Sequence, residues 1–161
     1  MPLDPATNRL RYLILAIQAE GNRQLNTALE QADAGVTSTQ AEVLEVLAEQ
    51  GALSQSDLAT QLVCTKGNIS RLLDRMEAKK LLSRDIDPES RRRTLIRISD
   101  EGREAYVRAT RPIAGLLATI GGLYSETELA QLDGLLTRLI GALDVQLADH
   151  VQAEPTAPER P

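Results

Sequence analysis

A helix, a three-residue turn and a second helix constrain the fold of this chain more than any other feature of its sequence. Ser54 starts the first helix with a capping box, and Leu58 and Leu62 share one of its faces. Thr65 caps the second helix, which ends near Lys80 and collects its apolar residues on one narrow face: Ile69, Leu72, Leu73 and Met76. The turn between them, residues 63–65, has the length typical of a helix-turn-helix.

The segments on both sides are also predicted to be helical. Phe and Trp are absent and aromatic residues make up 2% of the chain, so the core has to form from Leu, Ile, Val and Ala along helix stripes. Apolar residues repeat at helical spacing through residues 8–33, and a capping box at Thr37 starts a helix that ends near Gly51. Ser99 and Ser125 start two further helices, within residues 99–148.

A hairpin is predicted between the helix-turn-helix and these last helices. Residues 82–86 and 93–98 are short β-prone runs, separated by the turn-forming segment at residues 87–90. The predicted fold class is therefore mainly α with a small β-wing. One chain, residues 1–161, holds a winged helix-turn-helix at residues 37–98 between terminal helices at residues 8–33 and 99–148, and the Pro- and Glu-rich tail at residues 151–161 is expected to be disordered.

The last helix carries a leucine seam whose members alternate by threes and fours: Leu129, Leu132, Leu136, Leu139 and Leu143. Such a seam packs against another helix. The sequence leaves two possibilities open: the seam is buried within one subunit, or it is buried across a dimer interface.

Charge is distributed unevenly along the chain. The net charge is −5, but residues 65–97 contain ten basic and five acidic side chains, so this segment carries +5 and the remainder −10. A basic segment on an acidic body favours double-stranded DNA as the partner of that segment.

The second helix of the motif presents a polar surface opposite Ile69. At about 100° per residue, that side holds Gly67, Ser70, Arg71, Asp74 and Arg75, with Asn68 at its edge. Gly67 permits close approach of the backbone to a groove wall, Asn68 and Arg71 suit adenine and guanine edges, and Lys66 and Arg75 suit phosphates. The alternative is an ordinary solvated helix face.

Three arginines follow one another at the predicted wing tip. Arg91, Arg92 and Arg93 could enter a narrow minor groove, although strand alternation gives neighbours different roles. They could instead be solvated or pair with nearby carboxylates. The predicted DNA-contacting residues are Ser54, Thr65, Lys66, Gly67, Asn68, Ser70, Arg71, Arg75, Arg91, Arg92 and Arg93.

Residues 68–77 (NISRLLDRME), with Thr37-x-x-Gln40, Arg91-Arg92 and Ile98-Ser99-x-x-Gly102, resemble the MarR family of bacterial regulators. The resemblance implies a homodimer in which residues 8–33 and 99–148 are the dimerisation helices and two winged lobes bind a pseudo-palindromic operator. It also implies that a ligand or an oxidant releases the DNA, the family's ligands being small phenolic or other aromatic molecules. Two positions depart from the family pattern. Ser90 stands where members usually have Asp, and Lys80 stands where they tend to have Gly, so the helix is expected to end differently here.

Other classes of function have little support in the sequence. One Cys and one His, Cys64 and His150, provide neither a metal site nor a nucleophile with its base, so no cofactor and no catalysis are expected. A structural role for Cys64 is favoured over a redox role. The absence of a signal peptide and of a membrane-spanning run predicts a cytoplasmic protein. The predicted function is a ligand-responsive repressor, and the alternative is a winged-helix adaptor that binds proteins rather than DNA.

Overall fold

A computed structural model describes residues 4–62, 66–88 and 90–143 of the chain. Within these residues the elements are α1 (Pro5–Gln31), α2 (Ser38–Gln50), β1 (Leu53–Ser54), α3 (Gln55–Gln61), α4 (Lys66–Ala78), β2 (Leu82–Asp87), β3 (Ser90–Ile98), α5 (Asp100–Gly121) and α6 (Glu126–Leu143). The chain divides into two compact units, Met1–Leu117 and Ala118–Pro161, and α5 contributes to both.

The predicted helix starts are confirmed where they fall on described residues. At α2, the Thr37 hydroxyl accepts from the Gln40 backbone N–H and the Gln40 amide oxygen accepts from the Thr37 N–H. Ser54 and Asp57 form the same reciprocal pair at α3. These caps satisfy N–H groups that have no partner inside the helix, so they fix where each helix begins. Thr65, the predicted cap of α4, lies outside the described residues.

A three-stranded antiparallel sheet with strand order β1-β3-β2 forms the wing. The hairpin prediction is confirmed, but its turn is shorter than expected because Asp87 pairs with Ser90 beyond a register shift at Ile86. The bulge lets both strands continue into the predicted turn. Strand β1 was not predicted; its two residues pair with Leu95 and Ile96 of β3.

The hydrophobic core lies among the helices and sheet of the first unit. The predicted apolar face of α4 is buried, with Ile69, Leu73 and Met76 at 0% exposure and Leu72 at 7%. It packs in one cluster with residues from α1, α2, α3, β3 and α5, including Leu29, Leu44, Leu47, Leu58, Ile96 and Ala105. Burial of this face directs the opposite face of α4 outward.

The C-terminal end of α4 corrects one expectation. Lys80 has φ 60°, so it occupies the left-handed position that glycine usually takes. The Leu81 N–H donates to the Met76 carbonyl at 2.9 Å and the Lys80 N–H to the Glu77 carbonyl at 2.8 Å, the bonds of a Schellman motif. The expectation that the helix ends differently is therefore wrong, because the lysine adopts the left-handed cap and carries the backbone strain that glycine would avoid.

Apolar side chains on both units remain uncovered within the chain. On α1 they include Leu10, Leu13, Ile14 and Ile17, of which Ile17 is 72% exposed. On α6, described by itself, Leu129, Leu132 and Leu136 of the predicted seam are each 37–43% exposed. Across residues 4–62, 66–88 and 90–143, none of the helices combines the length and hydropathy needed to cross a membrane.

Candidate nucleic-acid interface

Helix α4 carries a polar outward face that faces away from the core. Asn68, Arg71, Asp74 and Arg75 are exposed and together line a shallow depression of about 430 Å³. Ser70 is half-buried at the border of this face. The sequence prediction of which residues point outward is therefore confirmed for the arginines and Asn68, whereas their contact with DNA stays a prediction.

Hydrogen bonds along α4 hold its arginines in place without cancelling their charge. The Arg71 Nη2 donates to Asn68 Oδ1 at 3.1 Å, and the Arg75 Nε donates to the Arg71 carbonyl at 3.2 Å. Both acceptors are neutral, so the guanidinium groups keep their full positive charge. Ordered side chains lose less entropy when they bind, which favours recognition by this face.

A second groove runs between the start of α2 and the side of α4. It has a volume of about 500 Å³ and is lined by Thr37, Thr39, Gln40, Asn68, Leu72, Arg75, Ala78 and Lys79. The Lys79 Nζ donates to the Gly35 carbonyl at 3.4 Å and to Gln40 Oε1 at 3.5 Å. Sequence reasoning missed Lys79, although its spacing of four from Arg75 already indicated a shared helix face.

Strand β2 is joined to α4 by an ion-pair network. Arg84 Nη2 lies 2.6 Å from Asp74 Oδ1, and its Nη1 pairs with Glu77 Oε2. A separate pair within the wing joins Arg97 Nε to Asp85 Oδ2 at 3.2 Å. These pairs of Arg84 were not predicted, because its partners lie seven and ten residues away in sequence and no local pattern relates such positions.

The other predicted contact residues lie in different surroundings. Ser54 is buried and its hydroxyl donates to Asp57 Oδ2 at 2.7 Å as part of the helix cap. A Cβ added at Gly67 would meet nothing within 4 Å, so space on that side of α4 is open to an external partner. Thr65, Cys64 and His150, and the side chains of Lys66, Arg91, Arg92 and Arg93, lie outside the described residues.

Acidic residues form a row on α2. The side chains of Glu42 and Glu45 are exposed but partly desolvated by their neighbours. This desolvation, and then the Glu45 carboxylate, raise the pKa of Glu42, and desolvation and then Glu49 raise the pKa of Glu45. Burial, and then the charges of Glu45 and Glu49, also raise the pKa of the Tyr106 hydroxyl on α5. This row concentrates like charge on one helix. In the described part of the chain, no group of three or more His, Cys, Asp or Glu side chains is arranged to hold a metal ion.

The sequence model of the MarR family matches residues 36–94. The chain is 32% identical over 87 residues to an uncharacterised HTH-type transcriptional regulator, YdgJ, of Bacillus subtilis (strain 168). It is 31% identical over 105 residues to a putative transcriptional regulatory protein for the hcr operon of Thauera aromatica. These matches cover 54% and 65% of this chain and 53% and 63% of the two relatives, so the chain spans less than two thirds of the length of either.

Solved structures resemble the fold over a longer stretch. The MepR–DNA complex of S. aureus has a TM-score of 0.76 and 30% identity, and the match covers 83% of this chain and 96% of that chain. A mutant MarR from E. coli complexed with operator DNA has a TM-score of 0.77 and 23% identity, over 87% of this chain and 99% of that chain. The predicted fold class, mainly helical with a small antiparallel wing, is confirmed by these likenesses.

Proposed function

Since the chain belongs to the MarR family, we propose that it is a sequence-specific, DNA-binding transcriptional regulator that acts as a homodimer. The observation that carries this proposal is the outward face of α4, where Asn68, Arg71 and Arg75 are exposed above a fully buried apolar face. A rigid helix that presents donors and acceptors on one side suits the major groove, whose base edges differ in their hydrogen-bonding pattern.

The side chains of this face divide into base contacts and phosphate contacts. Arg71, near the middle of the exposed face, has the fork geometry that matches the O6 and N7 acceptors of guanine, and Asn68 suits adenine. Arg75 and Lys79, which line the groove beside α2, suit the adjacent backbone phosphates. The solved complexes of MepR and of the mutant MarR with DNA support a partner of this kind.

The wing supplies the second contact. Strand β3 carries Arg91, Arg92 and Arg93 next to the turn at Pro88, and a narrow minor groove attracts arginine through its negative potential. We expect Arg92 to contribute to binding across many sequences, because shape and phosphate contacts carry little base information.

A second copy of the chain covers the uncovered apolar faces. Exposed leucines and isoleucines follow one another along α1, and exposed leucines form the seam of α6. A typical monomer surface exposes apolar side chains singly, so contiguous apolar faces indicate an interaction site. A homodimer buries the same patch on both subunits and places two α4 helices on two half-sites of one pseudo-palindrome.

The proposed function includes control of DNA binding by a small molecule. The protein is a cytoplasmic, non-enzymatic repressor, and a small aromatic or phenolic effector releases it from its operator. The two curated relatives bear the names of transcriptional regulators, which supports regulation over catalysis.

Fluorescence anisotropy with duplexes from the gene's own upstream region tests this function, using the wild type, Arg71→Ala and Arg92→Ala. Arg71→Ala should cost about 1 to 3 kcal/mol on the cognate site, and much less on scrambled DNA. Arg92→Ala should weaken binding on both duplexes and reduce the salt slope by about one per site. Absence of binding by the wild type, or no effect of either substitution, would favour the adaptor alternative.

A further inference from the structure

Arg84 occupies an unusual place for a charged side chain on a small hairpin. It is 25% exposed, whereas its partners Asp74 and Glu77 are 59% and 42% exposed. Both partners belong to α4 and Arg84 belongs to β2, so the two ion pairs bridge two elements. A guanidinium group is planar and rigid, and binding two carboxylates at once restricts its position more than a single pair would.

The position of Arg84 along β2 determines which part of the wing the two ion pairs connect to α4. Arg84 pairs with Ile96 in the sheet, and β1 supports β3 only at Leu95 and Ile96. Beyond that point the wing is a two-stranded hairpin, and such hairpins are marginally stable alone. Arg84 therefore ties β2 to α4 within the stretch that β1 supports, one residue before the unsupported part of the wing begins after Asp85 and Leu95.

Asp85 and Arg97 provide a contrast within the same hairpin. They pair at 3.2 Å with both side chains about half exposed, and both belong to the wing itself. This pair joins β2 to β3 but makes no bridge to α4. It is a control with similar chemistry and no connection between the two DNA-contacting elements.

We propose that Arg84 is a positioning residue that holds the wing at a fixed angle to α4 through Asp74 and Glu77, and that it does not itself contact DNA. The inference rests on the proposed function, since it concerns how α4 and the wing engage one duplex together. When the bridge is broken, the distance between the wing arginines and the base-contacting side chains of α4 is no longer fixed. Binding of one duplex by α4 and by the wing at the same time then becomes less favourable.

The direction in which one substitution changes DNA affinity distinguishes this positioning role from a purely electrostatic effect. Glu77→Gln removes a negative charge close to a polyanion, so electrostatics alone predicts tighter DNA binding. Loss of the Glu77 half of the bridge leaves Arg84 held by Asp74 alone and predicts weaker binding instead, by roughly fivefold on the cognate duplex. Asp85→Asn removes the same charge and breaks the control pair, and it should leave binding unchanged or slightly tighter.

The experiment measures anisotropy of a duplex selected by the wild-type protein from a random pool. The single variants Glu77→Gln, Asp85→Asn, Arg84→Lys, Arg84→Gln and Arg92→Ala are compared with wild type at several salt concentrations, with circular dichroism to verify folding. Two double variants, Glu77→Gln/Arg92→Ala and Arg84→Gln/Arg92→Ala, are measured in the same way. The expected result is that Arg92→Ala costs at least threefold less in the Glu77→Gln background than in the wild type, since the wing is already displaced. Arg84→Lys, which keeps the charge but not the fork, should fall between wild type and Glu77→Gln.

Three results would overturn the proposal while leaving the function intact. The first is tighter or unchanged binding by Glu77→Gln. The second is additive losses from Glu77→Gln and Arg92→Ala, and the third concerns Arg84 itself. If Arg84→Gln reduces the salt slope by about one and adds to Arg92→Ala, Arg84 contacts a phosphate directly, which also contradicts the positioning role. Failure of the wild type to select any duplex would overturn the proposed function and the positioning role together.

Discussion

Gly102, in the first turn of α5, lies so close to the Leu81 carbonyl that there is no room for a Cβ atom. A Cβ built at this position would lie 2.0 Å from the Leu81 carbonyl oxygen and 2.9 Å from Ile98 Cγ1. The Leu81 oxygen is backbone and already accepts from the Ser99 N–H at 3.2 Å. Ser99 Oγ in turn donates to the Lys80 carbonyl at 2.5 Å and accepts from the Gly102 N–H at 3.0 Å. Gly102→Ala must therefore displace the junction where α4, β2 and α5 meet.

The expected cost combines several effects. Normal contact between carbon and oxygen would require a shift of more than an ångström, and overpacking of this kind costs roughly 1 to 3 kcal/mol. Loss of the bond to the Leu81 carbonyl adds about 1 kcal/mol, while the higher helix propensity of alanine returns at most about 1 kcal/mol. The net loss of unfolding free energy should be about 2 kcal/mol, which lowers Tm by roughly 4 to 8 °C.

Gly115 offers a matched control on the same helix. A Cβ there would meet nothing within 4 Å, so Gly115→Ala should raise stability by about 0.5 to 1 kcal/mol. Thermal and urea unfolding are followed by circular dichroism at one protomer concentration, because dimerisation makes Tm concentration-dependent. If Gly102→Ala lowers Tm no more than Gly115→Ala does, the contact with Leu81 does not constrain this position and the reasoning fails.

Three further outcomes follow from the structure. Lys80→Gly should raise the unfolding free energy by about 0.5 to 1 kcal/mol in urea melts, because glycine adopts the left-handed conformation at φ 60° without strain. A loss of stability would show that Lys80 is not strained at this position. Partial desolvation and then the charge of Glu49 raise the pKa of Glu45, so the stability associated with its protonated form is present below the ordinary pKa of 4.5 and is lost as pH rises through the raised pKa. Glu45→Gln should therefore be more stable than wild type at pH 7 and equal to it near pH 3, and a constant difference across this range would refute the assignment. Sedimentation at micromolar concentration should give about twice the 17.5 kDa chain mass, and a folded monomer would remove the homodimer from the proposed function.

The parts of the fold that short-range chemistry determines could be predicted from the sequence. A cap involves residues three apart, and the apolar face of α4 follows from spacing alone, so Thr37, Ser54 and the buried Ile69 were all placed correctly. The same reasoning placed Arg71 and Arg75 on the outward face. Each of these inferences depends only on helix geometry.

The missed features depend on contacts between distant parts of the chain. Strand β1 has only two residues, too few for any alternation, and it exists because Ile96 of β3 offers a free edge to Leu53. The end of α4 was predicted wrongly for a related reason. Local preference disfavours Lys80 in a left-handed conformation by about 1 kcal/mol, but the Leu81 and Ser99 bonds at that junction outweigh a cost of this size.

The overall negative charge of the chain is compatible with DNA binding because the negative charge of the α4 carboxylates is partly offset by a neighbouring arginine. Asp74 lies on the outward face among Arg71 and Arg75, where an unscreened carboxylate would repel phosphate. Arg84 approaches from β2 and pairs with both Asp74 and Glu77, so this one positive charge lies between the two carboxylates of the helix and offsets part of their negative charge. Arg71 and Arg75 hydrogen-bond to neutral oxygens instead and retain their charge for DNA. The distribution of charge over a few ångströms, rather than the net charge of −5, therefore determines which surface of this protein attracts a polyanion.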